Sequence, residues 1–359
     1  MTHQGRIHNF SAGPAVLPLS VVEELREALP NLENTGIGLM EISHRSETFE
    51  AIVDSAKARI RRVLDLPDGY EVLLLQGGAS MQFCMVAMNL LQGGVADYLD
   101  TGAWSKKAAA EAKRFGDARV VWSGESVGYV RVPDNDEWRS SEEAVYTHYT
   151  SNNTIYGTQY HHDVNADHLI CDMSSDIASR RIDGQRFEVI YAGAQKNLGP
   201  SGVTVIALSP WAVERSDPNL PSMLRYRLHV DKKSMFNTPN TLGIFFLDRV
   251  LAWIESQGLE QVEATNRRKA GALYELLDSS DFWVPIAEQG SRSLMNVSWK
   301  LSDTSLEAQL ISDGLEAGFS GIKGHRSVGG LRASIYNACP EASVTEFVAF
   351  LREFERKNG

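Results

Sequence analysis

Cysteine is scarce in this sequence. Cys84, Cys171 and Cys339 are the only three, spread far apart along 359 residues. An odd, sparse set builds no disulfide framework and points to a reducing compartment. No Cys/His cluster has metal-ligand spacing, so no metal site is expected. Positive charge is short as well: 35 Lys and Arg stand against 46 Asp and Glu, a net charge of −11. A nucleic-acid partner wants a basic face, and none is expected here. Long apolar runs are missing. No segment approaches the ~18 apolar residues of a membrane-spanning helix. The opening MTHQGRIHNF holds no apolar stretch of signal-peptide length. These absences predict a cytoplasmic chain without a membrane partner. The two common nucleotide fingerprints, GxGxxG and GxxxxGK[ST], are also absent, which counts against a nicotinamide dehydrogenase.

What is present is an ordinary globular composition, 43% hydrophobic and 23% charged, in a chain long enough for two domains. Through the first 210 residues, apolar β-branched runs alternate with helical patterns. Strands are expected at Tyr70–Leu75, Val95–Leu99, Ala118–Trp122, Val145–Tyr149 and His168–Cys171, and helices at about Ser46–Leu64, Met81–Leu91 and Ser105–Phe115. Such alternation predicts a mostly parallel sheet covered by helices on both faces, with its site at the carboxyl ends of the strands. Two long helices follow, Thr241–Ser256 and Leu259–Leu277, and beyond Ser279 short strands and helices read as a smaller α+β domain. The division expected is a large domain over 17–264 and a small one over 265–359, joined by the arm 1–16. Ser343 and Glu346 have the spacing of a capping box for the last helix.

The centre of the pattern is FEVIYAGAQKNLGPSGVTVIAL, from Phe187 to Leu208. A single lysine, Lys196, lies between two apolar runs. Burying an ammonium is costly unless it is paired or neutralised. A Schiff base to a carbonyl is one use for such an amine; a turn lysine with its head in water is the plainer alternative. The strand ends weigh the choice. Ala79 and Ser80 open a helix after a glycine turn, where amides favour an anion. Trp104, Thr154 and Asp172 each follow a strand. A pyridoxal cofactor needs this set: a lysine for its aldehyde, an acid at its ring nitrogen (Asp172), a flat ring to stack on it (Trp104), a hydroxyl (Thr154) and phosphate donors (Ala79, Ser80).

The sequence resembles the phosphoserine aminotransferases, class-V members of the fold-type I pyridoxal-phosphate enzymes. The likeness runs over essentially the whole chain: FSAGPAVLP near the start, MEISHRS at Met40–Ser46, QGGASMQF at Gln76–Phe83, TGAWS at Thr101–Ser105, SNNTIYGTQ at Ser151–Gln159, CDMSSD at Cys171–Asp176, AGAQKNLGPSG at Ala192–Gly202, FNTPNT at Phe236–Thr241 and GHRSVGGLRAS at Gly324–Ser334. The resemblance implies pyridoxal 5'-phosphate as cofactor, Lys196 as its lysine, Asp172 at the ring nitrogen, Trp104 against the ring, and Ala79, Ser80, Thr154 and Gln195 around it. It implies a homodimer in which Asn237 and Thr238 of one chain reach the cofactor phosphate of the other. It implies that Arg45 binds substrate, and that the reaction moves the amino group between O-phosphoserine and 2-oxoglutarate in serine biosynthesis. An alanine–glyoxylate aminotransferase of the same fold is the nearest alternative. Some members carry arginine where this chain has Ser80, so most of the positive field must come from His44, Arg45, His325 and Arg326. Arg332, inside an apolar strand, is a candidate for a substrate carboxylate or for a structural ion pair.

Overall fold

The computed structural model describes residues 5–359; residues 1–4 of the expected arm lie outside the described residues. The chain begins with β1 (His8–Asn9), α1 (Leu19–Ala28) and α2 (Glu47–Val63). Ser46 caps α2 as expected, its hydroxyl accepting from the Phe49 amide at 3.3 Å. Then come β2 (Glu71–Leu75), α3 (Gly78–Leu90), β3 (Val95–Asp100), α4 (Ala103–Ala112), β4 (Asp117–Ser123) and β5 (Ala144–Thr150). A small hairpin, β6 (Asn152–Asn153) and β7 (Thr158–Gln159), precedes β8 (Leu169–Asp172), β9 (Phe187–Gly193) and β10 (Thr204–Leu208). Helices α5 (Pro210–Arg215), α6 (Tyr226–Asp231), α7 (Thr241–Gln257) and α8 (Leu259–Leu277) follow. The chain ends with β11 (Trp283–Pro285), β12 (Asn296–Leu301), α9 (Glu307–Glu316), β13 (Phe319–Ser320), β14 (Leu331–Ser334) and α10 (Glu341–Asn358).

Seven strands form the main sheet in the order β2-β10-β9-β8-β5-β3-β4. All are parallel except β10, which runs antiparallel to both neighbours. Parallel strands bring their carboxyl ends to one edge. Because β9 and β10 form a hairpin (Gly193 pairs with Thr204), Lys196 rides on its connecting loop at that same edge. The strands are apolar on both faces: Ile190, Ala192, Val205 and Ala207 pack towards α2 and α7, and Val189, Tyr191, Ile206 and Leu208 towards α3 and α4.

A separate apolar core serves the C-terminal part, where the second half of α8 and α10 pack on the antiparallel sheet β11-β12-β14. The N-terminal arm belongs to this part at its start. β1 pairs in parallel with β13, and His8 is clamped between Ser343 Oγ (2.9 Å from Nδ1) and Glu346 (3.1 Å from Nε2). This corrects the capping-box expectation. α10 starts at Glu341 behind Pro340, so Ser343 and Glu346 lie inside the helix and face the arm. Further along, the Ala15 amide donates to the Gln195 carbonyl at 2.9 Å, and Gly13 lies against the Lys196 side chain. The arm therefore ties the small core to the lysine loop.

Candidate active site

Five strand ends converge on one cavity of about 140 Å³, lined by Ala79, Ser80, Trp104, Thr154, Asp172, Gln195 and Lys196 together with Gly78, Phe83, Thr150, Asn152, Ser174 and Ser175. Each position has a local cause. Gly77 takes a positive φ of 93° and turns β2 into α3, whose first amides then have no carbonyl of their own helix to pair with. α3 begins at Gly78, three residues earlier than periodicity suggests, which puts Ala79 and Ser80 in its first turn. Gly102 (φ 146°) leads into α4; a Cβ there would collide with the Asn153 amide, which itself donates to the Thr101 carbonyl at 3.0 Å. That packing seats Trp104 at the cavity wall.

Lys196 Nζ donates to Thr154 Oγ1 at 2.7 Å. Burial lowers its amine to about 8, against the pull of Asp172 and Asp176; Arg332 adds to the lowering. Asp172 is buried at the end of β8, and its Oδ1 accepts from the Ser174 amide at 2.9 Å. Burial raises its carboxyl above the usual range, opposed by Ser174 and Lys196. Two buried polar atoms at the cavity, Thr150 Oγ1 and Trp104 Nε1, have no partner. A phosphate-bearing ring aldehyde fits this set: a helix N-terminus for the anion, an indole face, a buried carboxylate and an amine with one neutral partner.

Arg332 lies beside this group. Its Nη1 donates to the Thr154 carbonyl at 3.1 Å, so Thr154 touches both Lys196 and Arg332. Arg332 Nε is buried without a partner. Among the described residues of this single chain no carboxylate pairs with Arg332. His325 is near Arg332, Arg326 and Lys107; burial and those three positive charges hold its imidazole below the usual value.

The remaining expected residues do not line the cavity of this single chain. Asn237 Nδ2 lies 3.4 Å from Gln76 Oε1, and Gln76 Nε2 is 3.4 Å from the Thr238 carbonyl, just ahead of the glycine turn. Arg45 is exposed and His44 half-buried before α2, and Arg326 is exposed. Residues not singled out from sequence include Ser174 and Ser175, although CDMSSD held them, and Asn152. The expected polar loop after β5 is in fact a buried hairpin: Asn152 bonds Ser175 Oγ and Asn296, both at 2.8 Å, and Asn296 Nδ2 reaches Ser334 and Tyr336. This network links the cavity floor to the small core.

The sequence matches the aminotransferase class-V family over residues 7–347. The chain belongs to that family. Within it, the phosphoserine aminotransferase of Geobacillus kaustophilus (strain HTA426) is 49% identical over 356 residues, 98% of this chain and 99% of the relative. The solved phosphoserine aminotransferase from Bacillus circulans subsp. alkalophilus superposes with a TM-score of 0.96 at 45% identity, covering 99% of each chain. A pyridoxal-phosphate-bound phosphoserine aminotransferase from Trichomonas vaginalis superposes with a TM-score of 0.92 at 35% identity, covering 97% of this chain and 100% of that one. Among the described residues no helix is long and apolar enough to cross a membrane.

Proposed function

We propose that the cavity around Lys196 holds pyridoxal 5'-phosphate and that the chain is a phosphoserine aminotransferase, exchanging the amino group between glutamate and 3-phosphohydroxypyruvate to give O-phosphoserine and 2-oxoglutarate. The observation that carries this is the Lys196 amine: half-buried, held to about 8, hydrogen-bonded to Thr154 and facing a cavity that also holds Asp172. When bound, the cofactor supplies an electron sink for the pair released as the substrate Cα–H bond breaks.

The chain supplies the rest. The first amides of α3, at Ala79 and Ser80, receive the phosphate, with Thr154 and Gln195 beside them. Trp104 presents an indole face to the ring. Asp172 opposes the ring nitrogen with negative charge. Lys196 would hold the cofactor through its aldehyde and, as a free amine, would carry the substrate's Cα proton, a transfer suited to an amine near 8. Arg332, unpaired beside Thr154, receives the substrate α-carboxylate. His44, Arg45, His325 and Arg326 serve the side-chain anion. A homodimer completes the site, the partner subunit bringing Asn237 and Thr238 to the phosphate. The reading is supported by exposed apolar side chains next to these residues, Met40 at 69% and Phe236 at 40%, which a partner would cover. The division near residue 264 is supported by the separate cores, and a cytoplasmic location by the sparse free thiols.

The test is kcat/KM of the purified enzyme for O-phosphoserine, serine, alanine and glutamate, with sedimentation at the assay concentration. O-phosphoserine should exceed serine and alanine by at least roughly 100-fold, the worth of two or more charge-assisted contacts. Equal use of alanine favours the alanine–glyoxylate alternative, and an active monomer contradicts the shared site.

A further inference from the structure

Two lysines follow Trp104 on α4 and have different fates. Lys106 is bound to Glu125 at 2.8 Å and lies 5.4 Å from the Tyr129 ring. Lys107 has no carboxylate partner among the described residues. Glu111, one turn on and well placed for an i,i+4 pair, is taken by Arg114 at 3.2 Å. The exposed Lys107 side chain instead holds its ammonium 4.6 Å from the centre of the Trp104 ring, whose indole is part of the cavity wall.

Around this point positive charge accumulates without compensation. Neither Arg326 nor Arg332 is paired with a carboxylate among the described residues, and His325 feels Arg332, Arg326 and Lys107 together. In a chain of net charge −11, unneutralised cations gathered about His325, with Arg332 touching the cavity residue Thr154, form a local field for an anion. Arg332 sits deepest, on the Thr154 carbonyl beside Lys196. The cradle itself brings no side-chain charge, since Ser80 is neutral.

We propose that Lys107 is a specificity-determining residue, a mobile cation at the cavity mouth that leaves the face of Trp104 to meet the side-chain phosphate of the substrate. The role rests on the phosphoserine reading above. A flexible ammonium suits it: Lys acts as a point charge on a long stem, and it is that mobile charge, which another long cationic side chain also carries, that meets the phosphate. A dianionic side chain gains most from it, a neutral one nothing.

The holoenzyme and its Lys107→Ala, Lys107→Arg and Lys107→Glu variants should be compared in the amino-donor half-reaction with O-phosphoserine and with serine, at low and high salt. Lys107→Ala should lower kcat/KM for O-phosphoserine on the order of tenfold, the worth of one charge-assisted contact, and leave serine within twofold. Lys107→Arg should restore most of the loss, Lys107→Glu should deepen it, and added salt should narrow all the differences. Equal losses for both substrates, or an unchanged preference in Lys107→Ala, would overturn the assignment of Lys107 alone. A parent enzyme with no preference for O-phosphoserine over serine would instead overturn the substrate reading.

Discussion

Burial lowers three amines of the described residues to about 8, those of Lys57, Lys196 and Lys269, and the last two, one in each part, make the instructive pair. Lys196 sits on the loop between β9 and β10, and Lys269 in the middle of α8. Their surroundings differ. Lys269 Nζ donates to three backbone carbonyls, those of Ile335, Tyr336 and Cys339, at 2.9, 2.8 and 3.1 Å. All three hydrogens of the ammonium are used, and the turn between β14 and α10 is fixed by them. Lys196 has one hydroxyl partner, buried carboxylates nearby, an unpaired arginine and a cavity. A shifted amine alone does not mark chemistry; an amine with unused valences facing open space does. Lys269 is a fastener, and Lys196 is held ready for a bond it does not make within the chain.

The comparison is broken most sharply by substitution. Lys196→Ala should cut turnover on the order of 10³-fold or more while the protein keeps its fold, because the position belongs to a loop and the amine is the reacting group. Lys269→Met should do the reverse. It leaves three carbonyls without their donor and should cost roughly 2–4 kcal/mol in denaturant unfolding, with kcat/KM of the folded enzyme within a fewfold of the parent. If Lys269→Met abolished turnover without loss of stability, the distinction would fail.

Little of that contrast was legible in the sequence. The strand–turn–helix order announced the sheet, its loaded edge and the cavity residues Ala79, Ser80, Trp104, Thr154, Asp172 and Lys196, because such order has local signals, whereas Gln195 came only with the family resemblance. Lys269 gave none; it is one lysine on an amphipathic helix until β14 and its turn, over sixty residues later, fold against it. The direction of β10 was hidden for the same reason, as the pairing partner sets it. Ser343 and Glu346 matched a cap by spacing, and only the arm 335 residues away shows that they hold His8. Asn152 read as loop because its partners, Ser175 and Asn296, are distant in sequence. The His–Arg pairs were visible as charge, but where charge gathers depends on tertiary neighbours.

A smaller effect sharpens the comparison through pH. An unfolded lysine titrates near ~10.4, whereas Lys269 in the fold is held to about 8. Between these values the unfolded chain binds more protons than the folded one, so stability rises with pH through this window; below about 8 both states are protonated and the penalty of burying the charge is felt in full. On the reading above the Lys196 amine is occupied in the holoenzyme, and Lys57, also held to about 8 by burial, contributes equally to the parent and to Lys269→Met, so the difference between the two isolates Lys269. Unfolding free energy measured at intervals from pH 8 to 10 should therefore rise by up to about 1.4 kcal/mol per unit more in the parent than in Lys269→Met. Parallel curves would show that Lys269 does not titrate in that window.

The central claim is that Lys196, among all the lysines of the chain, carries the cofactor. Borohydride reduction of the holoenzyme followed by peptide mapping tests it directly. The reading predicts the added mass of the reduced cofactor on the peptide containing Lys196, none on the peptide containing Lys269, and no added mass anywhere in Lys196→Ala. Label on another lysine of the parent, or undiminished label in Lys196→Ala, would contradict it.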